Sequence, residues 1–177
     1  MSEPLAISTP RLQLHWLDSG DAPFIFRLVT DADWLRFIGD KGVVDLDSAR
    51  RYLETGPLKM YREQGFGLNR VALRADDKPI GICGILRRDN LADVDLGFAF
   101  LPEFRGRGYA REAADAVLDH AREILGIDRV VAIVAAKNAA SIRLLEKLGF
   151  AYETEFSRES AAPPVGLYGI DLSSRRT

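Results

Sequence analysis

The order of hydrophobic and polar positions along this chain predicts a succession of strands and helices. The clearest helical period lies at 109–125, where apolar side chains recur every three or four residues along one stripe. Gly126 follows this stripe and is expected to end the helix. The run Arg129–Ala135 is almost continuously apolar and β-branched, which is typical of a central strand with both faces covered.

Shorter patterns predict the remaining elements. They place strands at 5–17, 66–74, 80–86, 94–101, 151–156 and 165–172, and helices at 23–30, 46–62 and 138–148. The second of these helices takes Asp47 or Ser48 as its N-cap and contains Gly56 and Pro57, which are expected to break or kink it. Residues 31–44 are rich in Asp and Gly and are predicted to form a loop. This order of elements is typical of a mixed α/β or α+β fold.

The strand at 94–101 has two different faces. Its bulky side chains point to one side, namely Val94, Leu96, Phe98 and Phe100. On the opposite side the residues are small, except for one carboxylate, that of Asp95. Asp95 is therefore a candidate for chemistry in a cleft, and the alternative is an exposed acid near the start of a strand.

Composition and charge indicate one ordinary globular domain. The chain has 177 residues, of which 47% are hydrophobic and 28% charged, with a net charge of −2. This charge gives no overall attraction to nucleic acid or to an anionic membrane, and no apolar stretch is long enough to span a bilayer. The single cysteine, Cys83, cannot form an internal disulfide, and the N-terminus lacks signal-peptide features, so a cytoplasmic protein is expected. His15 and His120 have no paired ligands at metal spacing, so no metal site is predicted.

A basic glycine loop between a strand and the long helix is the strongest candidate for ligand binding. Gly106 and Gly108 permit a tight turn with its N–H groups directed at one point. The helix start adds further N–H groups and the positive end of its dipole, and Arg105 and Arg107 add charge. Such a loop predicts a pyrophosphate site, and the alternative is an ordinary basic turn.

Two segments around this loop resemble the GNAT superfamily of N-acetyltransferases. Residues 105–110, Arg-Gly-Arg-Gly-Tyr-Ala, match the acetyl-coenzyme A signature of that family, Gln/Arg-x-x-Gly-x-Gly/Ala. Residues 137–141 and 145–150 are similar to its second segment, in the right order and at the right separation. The opening at 9–14, Thr-Pro-Arg-Leu-Gln-Leu, is similar to the RimJ/RimL-type branch, which acetylates protein N-termini and notably those of ribosomal proteins.

The resemblance implies a mixed, mostly antiparallel central sheet that is flanked by helices and whose two middle strands splay apart in a V. It also implies a single N-acetyltransferase domain over 1–177. Within this domain we expect an acceptor-side strand and helices at 1–65, the sheet and acetyl-CoA-binding core at 66–150, C-terminal strands at 151–172 and a mobile tail at 173–177.

The resemblance further assigns residues to acetyl-CoA, the expected cosubstrate. The backbone of Phe100 and Leu101 would bind the pantetheine arm, and one N–H there would polarise the thioester carbonyl. The loop residues would cradle the pyrophosphate, namely Arg105, Gly106, Arg107, Gly108, Tyr109 and Ala110. Asn138 would contact coenzyme A or the substrate amine, and its alternative role is to cap the helix that follows.

Acetyl transfer requires a base that takes the proton of the amine. Asp95 is the candidate base and would act through water, at a position where the related N-terminal acetyltransferases commonly carry glutamate. Ser141 is the candidate donor to the departing thiolate, because the position at which many relatives carry a tyrosine is Leu145 here. The alternatives are a Ser141 hydroxyl bonded to its own helix and a mechanism without a dedicated acid. Trp34 and Phe37 are expected to line the acceptor pocket.

These assignments predict an acetyl-CoA-dependent N-acetyltransferase that works by direct transfer in a ternary complex, as a monomer or homodimer. Its acceptor would be a protein N-terminus or a small-molecule amine. The alternative function is a coenzyme A-binding sensor or scaffold without catalysis. Five aspartates of the N-terminal half would suit a basic acceptor if they lined a groove, namely Asp31, Asp33, Asp40, Asp45 and Asp47.

Overall fold

A single sheet organises the part of the chain that the computed structural model describes, residues 6–157 and 163–175. Its eight strands in these residues are β1 (Ile7–Ser8), β2 (Leu12–Trp16), β3 (Leu68–Leu73), β4 (Pro79–Leu86), β5 (Val94–Phe100), β6 (Arg129–Ala135), β7 (Ala151–Phe156) and β8 (Val165–Asp171). They lie in the order β1-β2-β3-β4-β5-β6-β8-β7, and β5 and β6 form the parallel pair among antiparallel neighbours. The mixed, mostly antiparallel sheet predicted from the sequence is confirmed.

Helices flank this sheet. Those of the described residues are α1 (Ala22–Val29), α2 (Ala32–Phe37), α3 (Leu46–Thr55), α4 (Pro57–Gln64), α5 (Tyr109–Glu123) and α6 (Ala139–Leu148). The stripe predicted on α5 is its buried face and consists of Ala113, Ala114, Val117, Leu118 and Ala121. These mostly small side chains let α5 lie close to β4 and β5. None of the described helices is long and apolar enough to cross a membrane.

The parallel contact between β5 and β6 is short. Both strands are described throughout, and their register joins only Val94 with Val130 and Asp95 with Val131. Beyond Asp95 the two strands diverge, because β5 continues along β4 while β6 continues along β8. An open cleft therefore lies between the C-terminal halves of β5 and β6, and the expected splay of the middle strands is confirmed.

The N-terminal region is more finely divided than its sequence pattern predicts. Within the predicted strand at 5–17 the structure has β1 and β2, because the chain turns between them and the Thr9 N–H donates to the Leu12 carbonyl at 3.0 Å. The loop predicted at 31–44 contains the short helix α2. Its N-cap is Asp31, whose carboxylate accepts from the N–H groups of Asp33 and Trp34.

The helix predicted at 46–62 breaks where its Gly-Pro pair stands. Helix α3 ends before Gly56, and α4 begins at Pro57. Proline is suited to the first helical position, because the N–H group that it lacks would have no partner within the helix. The N-cap of α3 is Asp45, which corrects the choice of Asp47 or Ser48. Ser48 instead closes the capping box, with its N–H 2.7 Å from Asp45 Oδ1.

The C-terminal segment is anchored to the domain as far as the structure describes it. Arg175 forms ion pairs with Asp115 and Asp119 of α5, and it donates to the Leu148 carbonyl at 3.2 Å. The tail that the sequence predicts to be mobile, 173–177, includes these contacts at Arg175 and continues at 176–177 outside the described residues. Residues 1–5, 158–162 and 176–177 lie outside the described residues.

Candidate active site

The glycine loop adopts the backbone conformation that its two glycines permit. Gly106 and Gly108 have φ angles of 72° and 81°, in the left-handed region that residues with a side chain rarely adopt. Gly108 is also the N-cap of α5, and its carbonyl accepts the Glu112 N–H at 3.1 Å. The first N–H groups of α5 have no acceptor within the helix, so loop and helix together form a cradle for an anion.

Residues far away in the sequence hold this cradle in place. One oxygen of Glu112 accepts from the Thr9 hydroxyl at 2.6 Å and from the Arg11 N–H at 2.9 Å, and the other lies 2.7 Å from Arg11 Nε. Arg11 also donates to the Arg107 carbonyl at 3.0 Å and lies over the Tyr109 ring. Burial opposes ionisation of Glu112, but these hydrogen bonds outweigh it and lower its pKa. Glu112 therefore supports the loop, which agrees with the structural role expected of an acid in the first helical turn.

Arg105 is committed to contacts within the protein. Its Nε donates to the Phe100 carbonyl at 2.9 Å, and its two terminal nitrogens lie 2.7 and 2.6 Å from carboxylate oxygens of Asp31 and Asp33. It thus connects the end of β5 to the start of α2. The side chain of Arg107, in contrast, is exposed and lies outside the two cavities described next.

One cavity of about 620 Å³ lies over the cradle. We call it the loop cavity, and it is bounded by the C-terminal end of β5, the glycine loop, the start of α5, one face of α6 and part of α2. Its basic lining residues are Arg105, Arg111, Arg143 and Lys147. Among its described lining residues the acid is Asp33, which is paired with Arg105, so this lining carries an excess of positive charge that suits a polyanion. Sequence reasoning missed the last three cations, although Arg143 and Lys147 are four residues apart on one helix face.

The backbone of β5 presents unpaired groups to the cleft. The Leu101 N–H donates to the Ile80 carbonyl at 2.9 Å, which removes it from the candidate donors to a thioester. Because backbone groups alternate along a strand, Ala99 also faces β4, whereas Phe98 and Phe100 direct their N–H groups towards the splay. The Phe100 N–H remains a candidate donor, and Phe98 takes the place of Leu101.

A second cavity of about 350 Å³ lies on the other side of the cleft, against α2, α3 and α4. We call it the helix cavity. The two cavities share part of their lining, namely Trp34, Phe37, Ile38, Phe98, Ala99, Asn138 and Ser141. The structure thus brings four sequence-predicted site residues, Trp34, Phe37, Asn138 and Ser141, to the place where the cavities meet.

Asp95 lines the helix cavity only, at the closed end of the V. It is 1% exposed, and both of its carboxylate oxygens lie 3.0 Å from Arg88 Nε. The alternative of an exposed acid is therefore wrong. Burial raises the pKa of Asp95, and the positive charge of Arg88 opposes that rise.

The remaining candidates have clear structural surroundings. Asn138 Oδ1 accepts the Ser141 N–H at 3.2 Å, so Asn138 caps α6, and its side chain lines both cavities as well. Leu145 is buried and lines the helix cavity. Cys83 is buried, and burial raises the pKa of its thiol, as expected of a core residue. Across the described residues no group of three or more His, Cys, Asp or Glu is placed to hold a metal ion.

A basic cradle that opens onto a splayed sheet, where a second cavity meets it, agrees with the arrangement that the resemblance to acetyl-coenzyme A-dependent transferases implies. A family model described as an acetyltransferase (GNAT) domain matches residues 11–151 of this chain. The chain therefore belongs to the GNAT acetyltransferase family. It is an N-acetyltransferase, and acetyl-CoA is the acetyl donor that this family uses.

Curated relatives from Bacillus subtilis match most of this chain. The chain is 27% identical over 175 residues to the protein YkkB of Bacillus subtilis (strain 168), covering 95% of this chain and 96% of the relative. It is 27% identical to the N-acetyltransferase YoaA of the same organism, covering 83% of each chain.

Solved structures have the same fold. An acetyltransferase from Agrobacterium tumefaciens str. C58 superposes with a TM-score of 0.80 at 25% identity and covers 96% of both chains. RimL, a ribosomal L7/L12 α-N-protein acetyltransferase in complex with coenzyme A, superposes with a TM-score of 0.76 at 16% identity, covering 97% of this chain and all of that one.

Proposed function

We propose that this enzyme transfers an acetyl group directly from acetyl-CoA to a primary amine while both are bound. The observation that carries this proposal is the meeting of the two cavities beside β5. A thioester held in the loop cavity and an amine held in the helix cavity would face each other there, which is the proximity that direct transfer needs. In the transfer the amine nitrogen bonds to the acetyl carbon, the carbon–sulfur bond breaks, and the amine loses one proton.

The loop cavity is our proposed site for acetyl-CoA. The N–H groups of residues 106–110 would bind its pyrophosphate, and Arg111, Arg143 and Lys147 would meet its remaining phosphate charge. The N–H groups of Phe98 and Phe100 would bind the pantetheine arm and polarise the thioester carbonyl. Arg105 acts as a positioning residue, because its guanidinium fixes the Phe100 carbonyl.

The chemical roles fall to side chains on either side of the meeting point. Asp95 would accept the amine proton through water, since it lies at the closed end of the V rather than at the meeting point. Ser141 is placed to donate to the departing sulfur, and the Asn138 amide to orient the amine or the cosubstrate. Trp34 and Phe37 would shape the acceptor entrance.

Kinship with the ribosomal-protein branch is the finer part of this proposal. It is supported by the opening at 9–14 of the chain. Thr9 and Arg11 of that segment bind Glu112 and the glycine loop and lie outside the helix cavity. The shared motif therefore contributes to binding of the cosubstrate and not of the acceptor. Whether the acceptor is a protein N-terminus or a small amine would be determined by the helix cavity.

Thermal unfolding with acetyl-CoA tests the proposed site. Ligand at a hundredfold excess over its Kd stabilises the native state by about 2.7 kcal/mol, which corresponds to roughly 5–10 °C for a chain of this size. The double variant Arg143→Gln, Lys147→Gln should need about tenfold more ligand for the same shift. Its matched control is Arg50→Gln, Lys59→Gln, two exposed cations outside both cavities.

Release of the coenzyme A thiol in the presence of a panel of amines tests the transfer. In the thermal unfolding experiment, the proposed acetyl-CoA site would be overturned by loss of the ligand-induced shift in both double variants. It would also be overturned if the wild type showed no shift at millimolar acetyl-CoA. Acetyl-CoA binding without thiol release for any amine would instead favour a non-catalytic coenzyme A-binding module.

A further inference from the structure

The charged side chains around the helix cavity are mainly positive. Lys41, Arg87 and Arg88 line it, and Asp95 is the one carboxylate among its described lining residues. Asp95 is already bound, because both of its oxygens lie 3.0 Å from Arg88 Nε. A ligand that reaches this end of the cavity therefore meets an excess of positive charge.

The acidic residues of the N-terminal half do not change this balance. None of the five aspartates that would have suited a basic acceptor lines the helix cavity. Each is engaged elsewhere: Asp31 and Asp33 with Arg105, Asp40 with the Gly42 N–H, Asp45 as the cap of α3, and Asp47 with Arg50. The acidic groove expected for a basic acceptor is not formed by these residues.

Arg87 provides a positive charge that is not neutralised within the described residues. It directly follows β4, its side chain is exposed, and one terminal nitrogen donates to the Ala92 carbonyl at 3.1 Å. No salt bridge joins it to another described residue. Because a carbonyl carries no full charge, the guanidinium retains its capacity for a carboxylate or phosphate.

These cations lie away from the point where the two cavities meet. Arg88 binds Asp95 near the start of β5, whereas Ala99 lines the meeting point. Asp95 and Ala99 are four residue steps apart along the strand, about 13 Å, and both arginines are held at the Asp95 end, Arg88 by Asp95 and Arg87 by the Ala92 carbonyl. The wall in between is largely apolar and includes Trp34, Ile38, Tyr52, Met60 and Leu86.

We propose that the acceptor is an elongated amine whose far end carries an anionic oxygen group, a carboxylate or a phosphate. Arg87 and Arg88 bind this group, and the amine lies at the meeting point of the two cavities. This inference rests on the acetyl transfer proposed above. A polyamine is a poor acceptor, because its second ammonium group would face the two arginines.

Matched acceptors test this preference. Thiol release is measured with acetyl-CoA for ω-amino acids and short peptides of increasing length, for the same compounds as carboxamides, for ω-aminophosphonate analogues and for spermidine. The acids or phosphonates should give kcat/KM values at least about tenfold above those of the carboxamides. The carboxamide amines are the less basic ones, so a higher fraction is neutral, and a preference for the acids would arise against that advantage. The ratio of acid to phosphonate identifies the anionic group.

Charge reversal at Arg87 provides the second readout. Arg87→Glu should lower the ratio of kcat/KM for the acids to kcat/KM for the carboxamides about tenfold or more. Arg87→Lys should retain the order of preference, and the matched control Arg50→Glu should change neither class. Carboxamides or spermidine acetylated as well as the acids, or an unchanged preference in Arg87→Glu, would overturn the inference. If acetyl-CoA binds and no amine of any class is acetylated, the transfer itself fails, and if acetyl-CoA does not bind, the cosubstrate site fails.

Discussion

The two cavities that meet beside β5 are built in different ways. The loop cavity owes its floor to backbone groups, namely the glycine loop, the start of α5 and the open edge of β5. The helix cavity is walled by side chains of α2, α3 and α4 and of the residues that follow β4. Backbone groups present the same hydrogen bonds whatever the neighbouring side chains are. The loop cavity is therefore suited to a ligand that is common to a family, and the helix cavity to one that differs among its members.

The largest effect is expected where the loop cavity depends on backbone conformation. Gly108→Val should weaken acetyl-CoA binding at least about hundredfold, because a β-branched residue at φ 81° is strained and moves the N–H groups of the cradle. Gly126→Val is the control, since Gly126 has φ 65° and a Cβ there would meet nothing within 4 Å. Isothermal titration with acetyl-CoA measures both. Equal losses in the two variants would mean that general strain, and not the cradle, causes the effect.

An effect of similar size is expected for Asp95 on the side of the helix cavity. Asp95→Asn should lower kcat about hundredfold, which is the usual contribution of a general base. In the wild type, kcat/KM should rise with pH through a pKa that burial holds above the ordinary aspartate value. Arg88→Gln removes the charge that opposes this rise, so the acid limb should move to higher pH, whereas Arg50→Gln should leave it in place. A pH profile unchanged in Asp95→Asn would exclude Asp95 as the base.

The support of the glycine loop should produce a smaller effect. Glu112→Gln weakens hydrogen bonds to Thr9 and Arg11 and should lower the free energy of unfolding by about 2 kcal/mol. The pKa of Glu112 is lowered in the folded state, so its contribution is complete above the ordinary glutamate pKa of about 4.3 and is lost as the pH falls through the lower folded value.

Denaturant unfolding at pH 7 and at pH 3 measures this contribution. The difference between wild type and Glu112→Gln should shrink at the lower pH. Glu123→Gln, which breaks an exposed pair with Arg122, should cost less than about 1 kcal/mol at either pH. A Glu112→Gln variant as stable as the wild type at pH 7 would contradict the anchoring role.

The smallest effect separates the two roles of Asn138. Asn138→Ala should cost about 1 kcal/mol of stability because the N-cap of α6 is lost. Asn138→Asp keeps a capping oxygen and should restore that stability while lowering kcat, if the amide N–H₂ group acts on the substrates. Thermal unfolding and steady-state kinetics on both variants give the answer, and full activity in Asn138→Asp would leave capping as its role.

The sequence predicted the loop cavity better than the helix cavity, for a physical reason. The positive φ angles at Gly106 and Gly108 and the cap at Asn138 follow from local rules, whereas α5 ends at Glu123, before the predicted stop at Gly126. Local rules also placed β6 and β7 without error in their bounds. The loop cavity is assembled largely from such local features.

What the sequence did not predict depends on tertiary contacts. The sequence predicts Arg105 as a phosphate ligand, and nothing local indicates that it lies against Asp31 and Asp33, more than seventy residues away. The position of Arg87 and Arg88 likewise depends on the cavity that the end of β4 lines together with α3 and α4, which are distant in sequence. The six-residue helix α2 was missed because so short an element gives no clear period.

The splay of the sheet also affects how firmly its two parts are joined to each other. Because only two residue pairs join β5 to β6, the sheet consists of two groups of strands, β1–β5 and β6–β8, that share little backbone hydrogen bonding. The two groups of strands are also held together by helices. Helix α5 packs on β4 and β5, and α6 packs on β6 and contacts α5. Substrates bound along the line between β5 and β6 would contact both groups of strands and hold them together. Substrate binding and product release would therefore strengthen and weaken, in each turnover, the part of the sheet with the fewest backbone hydrogen bonds.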